Sequence, residues 1–227
     1  MTKSRKFGAF TVIVFLLTAI SGVSRVWAQV EDDKNGNPKV FSAGAIAGAN
    51  FCQVDGDNFA GYYKVGLNVG GIVYAKVRKN TALSMEILYS QKGAKSRYGR
   101  FGDLDSAIYI NKYSTNLNYA EIPVMINFFD VRRSHAGIGL SYGRLINSTE
   151  TVSSDPVYTR DLNKDYPFKK SDFQLIAGAQ LHLWKGLFMN LRVQYSLVPI
   201  RTNLPPGISR SSQYNNMWTF RLMYLFI

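Results

Sequence analysis

The chain has 227 residues, with 27 Lys and Arg against 15 Asp and Glu, for a formal charge of +12. Its single cysteine, Cys52, excludes an internal disulfide framework and any cysteine-based metal site. The basic residues are scattered and not gathered in one stripe, which argues against nucleic acid, and no segment has the ~20 unbroken apolar residues of a helical membrane span.

At the amino terminus, Lys3, Arg5 and Lys6 precede an apolar run from Phe7 to Ile20, and Val26-Trp27-Ala28 follows. This order predicts a secretory signal over residues 1–28, cleaved after Ala28, with mature chain beginning at Gln29. Cleavage removes four positive charges and no negative one, so the remainder stays basic. Residues 29–39 then form a short periplasmic segment ahead of one domain over 40–227.

Within that domain, period-two alternation picks out eight stretches near 40–52, 62–77, 81–92, 115–129, 135–147, 172–184, 187–199 and 214–227. In the third, Leu83, Met85, Ile87 and Tyr89 face one way while Ser84, Glu86 and Ser90 face the other. The fourth sets Ala120, Ile122, Val124, Ile126 and Phe128 against Tyr119, Glu121 and Asn127. The seventh sets Leu187, Met189, Leu191, Val193, Tyr195 and Leu197 against Asn190, Arg192, Gln194 and Ser196. In the last, Trp218, Phe220, Leu222, Tyr224 and Phe226 form an apolar face, with Thr219, Arg221 and Met223 behind it. So sustained an apolar face exceeds what a half-buried strand in water needs, and suits contact with lipid.

Connections alternate between short, as at Arg78-Lys79-Asn80 and Lys185-Gly186, and long, as at 93–114 and 148–171. An even number of strands with short turns on one side and long loops on the other predicts an all-β fold. It is an eight-stranded antiparallel up-and-down transmembrane barrel in the outer membrane, expected as a monomer. Glycines at inward positions, such as Gly66 and Gly70, make room for bulky neighbours in a narrow lumen. Pro123 cannot donate to the ladder, so it marks a missing bond or a bulge.

The inward faces carry Glu86, Glu121, Arg192 and Arg221, with Lys76 lower down, which predicts a lumen ion network that plugs the barrel. A narrow conduit is the alternative reading of the same charges. His135 and His182 fall near the periplasmic rim without a serine and carboxylate at matched spacing, so no catalytic, metal or cofactor residues are assigned. The long loops hold Lys92, Lys95, Arg97 and Arg100, then Arg160, Lys169 and Lys170, interleaved with Tyr98, Phe101, Tyr158, Tyr166 and Phe168. Cations beside aromatic rings make these candidate binding residues for outer-membrane lipid and lipopolysaccharide.

Three segments, Leu88-Tyr-Ser-Gln-Lys-Gly-Ala-Lys95, Asn118-Tyr-Ala-Glu-Ile-Pro-Val-Met-Ile-Asn-Phe128 and Gly48-Ala-Asn-Phe51, resemble the PorT-like outer-membrane β-barrel family of Bacteroidota. The resemblance spans most of the mature chain and implies a small outer-membrane barrel from that phylum. One member of the family takes part in type IX protein secretion and gliding, which adds secretion-machinery proteins as alternative partners. Asp105-Ser106-Ala107 also resembles the acceptor pattern for O-glycosylation in the same phylum. The resulting expectation is a structural or interaction protein of the envelope, with a secretion accessory and a low-conductance channel as alternatives, and not an enzyme.

Overall fold

The computed structural model describes residues 40–57, 61–101, 108–130, 133–155, 162–202 and 209–226. The expected signal segment with its cleavage at Ala28, and the segment 29–39, lie outside these. Eight strands follow in chain order: β1 (Phe41–Asp57), β2 (Lys64–Arg78), β3 (Thr81–Phe101), β4 (Ile108–Phe129), β5 (His135–Asp155), β6 (Ser171–Trp184), β7 (Leu187–Ser196) and β8 (Ser209–Phe226). Each pairs antiparallel with its sequence neighbour, and β1 pairs with β8 from Ala43 opposite Phe226 upward, closing the ring. Closure removes both sheet edges, which lipid could not have satisfied.

Period two decides which side chains enter the lumen. On β1, Phe41 and Phe51 are exposed while Ile46, Asn50 and Cys52 are buried, and on β8 Trp218 through Phe226 alternates the same way. The exposed face is a belt of large apolar residues: Val65, Ile87, Phe128, Leu140, Leu175 and Phe220 are 43–66% exposed. Surrounded by water, such a belt would drive aggregation; in a bilayer it is the contact surface.

The short connections all lie at one end. Arg78 faces Thr81 across a tight turn, β4 joins β5 through Asp130 and Arg133, and Lys185 takes a positive φ of 48° between β6 and β7. At the other end, β3, β4 and β5 run well past their neighbours. The stretch 93–114, expected as a loop, is mostly sheet: Ala94 pairs with Thr115 and Phe101 with Ile108. Above the lipid the outer face need not be apolar, so the alternation that marks a membrane strand fades although the ladder continues. A four-residue helix, α1 (Leu162–Asp165), lies against β5.

Pro123 causes no bulge. Met85 faces Val124 and Leu88 faces Glu121, so β3 and β4 keep step across the interval where the proline has no N–H to give. The β4–β5 ladder shifts higher up, where Asn118 faces Asn147 but Tyr119 faces Leu145, leaving Ile146 as the extra residue.

Candidate functional site

Inside the ring the side chains form stacked layers. At the short-turn end, Ile46, Ile72, Tyr74, Leu88, Phe188 and Met223 pack into an apolar cluster. His135 closes its rim, stacked on Phe129 with ring centroids 4.1 Å apart and bonded through Nε2 to the Tyr74 hydroxyl at 2.9 Å. His182 turns away and meets the Lys185 carbonyl at 2.7 Å. The Ser134 hydroxyl meets the His182 backbone N–H at 3.3 Å, and among the described residues neither imidazole bonds a serine hydroxyl or a carboxylate.

Above that cluster sits a charged triad drawn from three strands. Glu86 of β3 accepts from Arg192 of β7 at 2.5 and 3.1 Å and from Arg221 of β8 at 2.9 and 3.4 Å. Arg221 also donates through Nε to the Asn190 Oδ1 at 2.9 Å. All three charged residues are about 1% exposed. The arginines fit because glycine lies beside each: Gly48 pairs with Arg221, and Gly178 with Arg192. A Cβ at Gly48 would come within 2.6 Å of the Arg221 Cα.

A neutral layer follows, in which Asn50 donates to Ser90 at 2.9 Å and accepts from Thr219 at 2.9 Å. A second charged triad stands above it. Glu121, expected beside the arginines, pairs instead with Lys92. Lys92, expected in a loop, is wholly buried on β3 and also reaches Asp172 Oδ2 at 3.4 Å. Asp172 further accepts from Ser196 and Asn215, each at 2.8 Å, and from Gln174 at 3.0 Å. Lys76, expected to join from below, is only half-buried and meets no described carboxylate.

The two triads have opposite formal charge. Glu86 lies between two guanidinium groups, whereas Lys92 lies between two carboxylates. With every group ionised, the lower excess of one positive charge cancels the upper excess of one negative. Burying unbalanced charge is costly, so this cancellation is what makes a polar lumen tolerable.

The outer end is closed by Val54, Tyr113, Leu117, Tyr119, Leu145, Phe168 and Ile200. Phe168, expected as a loop aromatic, folds inward beneath Arg201, whose guanidinium lies 4.4 Å from the ring centroid. Arg201 is held by Glu150 at 3.0 Å and by the Tyr166 carbonyl at 2.6 Å. Apolar periodicity did not flag Glu150, Asp172 or Arg201. Asp172 and Arg201 adjoin the ends of alternating segments, and Glu150 lies beyond one.

The remaining basic candidates separate. Lys169 and Lys170 are exposed just before β6, and Lys95 is exposed on the β3 extension. Arg97 and Arg100 lie higher on the same extension, opposite Lys112 and Tyr109. Arg160 lies outside the described residues.

A closed eight-stranded antiparallel ring with a lipid-sized apolar exterior and a polar interior defines a bacterial outer-membrane barrel. Residues 27–201 match the family model "Outer membrane protein beta-barrel domain", and the chain belongs to that family. It is a protein of the outer membrane. Among solved structures it is similar to Ail, the attachment invasion locus protein of Yersinia pestis, at 10% identity and TM-score 0.44, over 82% of this chain and 98% of that one. It is also similar to the N-terminal barrel domain of Pseudomonas aeruginosa OprF (12% identity, TM-score 0.34, 82% and 97% covered). A third similarity is to the outer membrane protein AlkL (12% identity, TM-score 0.37, 89% and 94% covered). No curated protein matches the sequence.

Proposed function

We propose that this chain is a non-conducting interaction protein of the envelope, neither pore nor enzyme, whose working surface is the extension of β3, β4 and β5. The observation that carries this reading is the filled lumen. Two ion triads separated by a neutral layer occupy its middle, and apolar clusters close it at either end. An ion crossing it would have to separate buried charge pairs, which costs several kcal/mol each. Reconstitution in a planar bilayer tests this, with no unitary currents expected; stable single-channel openings would restore the channel reading.

The sequence resemblance to PorT-like proteins supports a second reading, an accessory role in type IX secretion through protein contacts. Two of the three segments that carry the resemblance lie side by side on β3 and β4, with Ser90 opposite Tyr119, and hold the buried Lys92 and Glu121 pair, while Gly48–Phe51 lies on β1. These shared residues therefore serve barrel construction, and the resemblance bears less on the task. Comparing surface and secreted proteins between a deletion strain and its parent separates the two readings. Secretion cargo trapped in the periplasm would favour the accessory role, and an unchanged secretome would remove it.

A further inference from the structure

Pairing between β2 and β3 reaches up to Asn68 opposite Ser90, while β3 continues beside β4 as far as Phe101. Gly93 helps redirect the strand there, with a φ of 131° and no room for a Cβ, which would lie 2.0 Å from the Thr115 carbonyl oxygen. Where the strands part lies a cleft of about 360 Å³ lined by Tyr63, Lys64, Lys95, Lys112, Ser114 and Thr151.

The register places Lys95, Lys112, Ser114 and Thr151 on one outward face, while Lys64 joins from the inward parity where β2 begins. Lys95 faces Ser114 across the β3–β4 ladder, and Ser114 faces Thr151 across the next. Lys112 is thus the diagonal neighbour of Lys95, a spacing at which long side chains interact and like charges repel. Lys64 enters from the start of β2 and donates to the Asn116 side chain. Among the described residues, no carboxylate lines the cleft. Three lysines and three hydroxyl-bearing residues line the cleft with no carboxylate among the described lining, a setting that favours an anionic ligand.

The wall below the cleft narrows the choice of anion. Lys64 is followed down β2 by the outward residues Val65 and Leu67, 57% and 46% exposed, and Phe51 beside Val65 is 40% exposed. Cations directly above a lipid-facing strip match an amphiphile whose chains lie along β2 and whose phosphate stands at the membrane surface. A soluble anion would have no use for the strip.

We propose that this cleft binds a phosphate monoester on the sugar headgroup of an outer-leaflet glycolipid. The proposal rests on the extension being the working surface, but its test does not depend on conductance. The refolded full-length barrel in detergent is titrated by native mass spectrometry with bis-phosphorylated lipid A, with fully dephosphorylated lipid A, and with glucosamine 1-phosphate as the soluble phosphate. Wild type is expected to retain the bis-phosphorylated lipid at least about tenfold better than the dephosphorylated one, a difference worth ~1.4 kcal/mol. A Lys95→Ala, Lys112→Ala variant should lose that preference while still shifting between heated and unheated gel lanes. Arg78→Ala with Lys79→Ala, exposed residues at the opposite, short-turn end of the barrel, should keep it. Equal binding by wild type and the cleft variant, or no phosphate preference, would overturn the site. Displacement of the lipid by glucosamine 1-phosphate at comparable concentration would overturn the glycolipid assignment and leave a site for free phosphorylated sugar.

Discussion

Glu86 and Glu121 sit on adjacent strands, both wholly buried, yet they serve different counter-ions. Among the described residues Glu86 is the carboxylate that holds both Arg192 and Arg221, so Glu86→Gln leaves two buried guanidinium groups with neutral acceptors among those residues. The expected loss is about 3–5 kcal/mol, the range for breaking a buried pair by removing one partner. Glu121→Gln leaves Lys92 still facing Asp172, so its cost should be about half as large. Thermal unfolding of the refolded variants in one detergent checks the order; equal melting temperatures would mean that the triads do not bear on stability as described. The inward position of Lys92 was legible in principle. Ser84, Glu86, Leu88 and Ser90 share its parity on β3, and extending that parity by one step puts Lys92 in the lumen. A lysine at the end of an apolar alternation reads as a loop residue because its partners, Glu121 and Asp172, come from other strands.

At the scale of the strand, alternation located all eight elements because lipid imposes an apolar face along their membrane-crossing parts. It lost β3 and β4 above that level, over 94–101 and 108–114, where the ladder continues without a lipid-facing apolar face to mark it. The inward fold of Phe168 was not legible either, since nothing local tells an aromatic in a polar stretch that the barrel mouth lies nearby. Sidedness is open to test on cells. Cysteine placed at Lys112, on the extension, should react with a membrane-impermeant maleimide on intact cells. At Lys79, exposed in the β2–β3 turn, it should react only after permeabilisation. The native Cys52 is 1% exposed and should stay silent in both conditions. The reverse labelling pattern would invert the barrel and move the lysine cleft to the periplasm.

For the whole molecule, the ring closes between β1 and β8, and the lower triad spans the same closure: Glu86 lies 106 positions before Arg192 and 135 before Arg221. Unboiled protein should therefore migrate apart from boiled protein on a denaturing gel, and Glu86→Gln should lower the temperature at which the two forms merge. The same arrangement governs the order of assembly. While β3 is in place and β7 and β8 are not, Glu86 has no counter-ion, and a sheet curling into lipid at that stage would carry an unneutralised charge. Neutralisation arrives together with the final strand pairing. A half-inserted barrel is thereby penalised twice, by its open edges and by its unmatched carboxylate, so entry into the membrane becomes an all-or-none event.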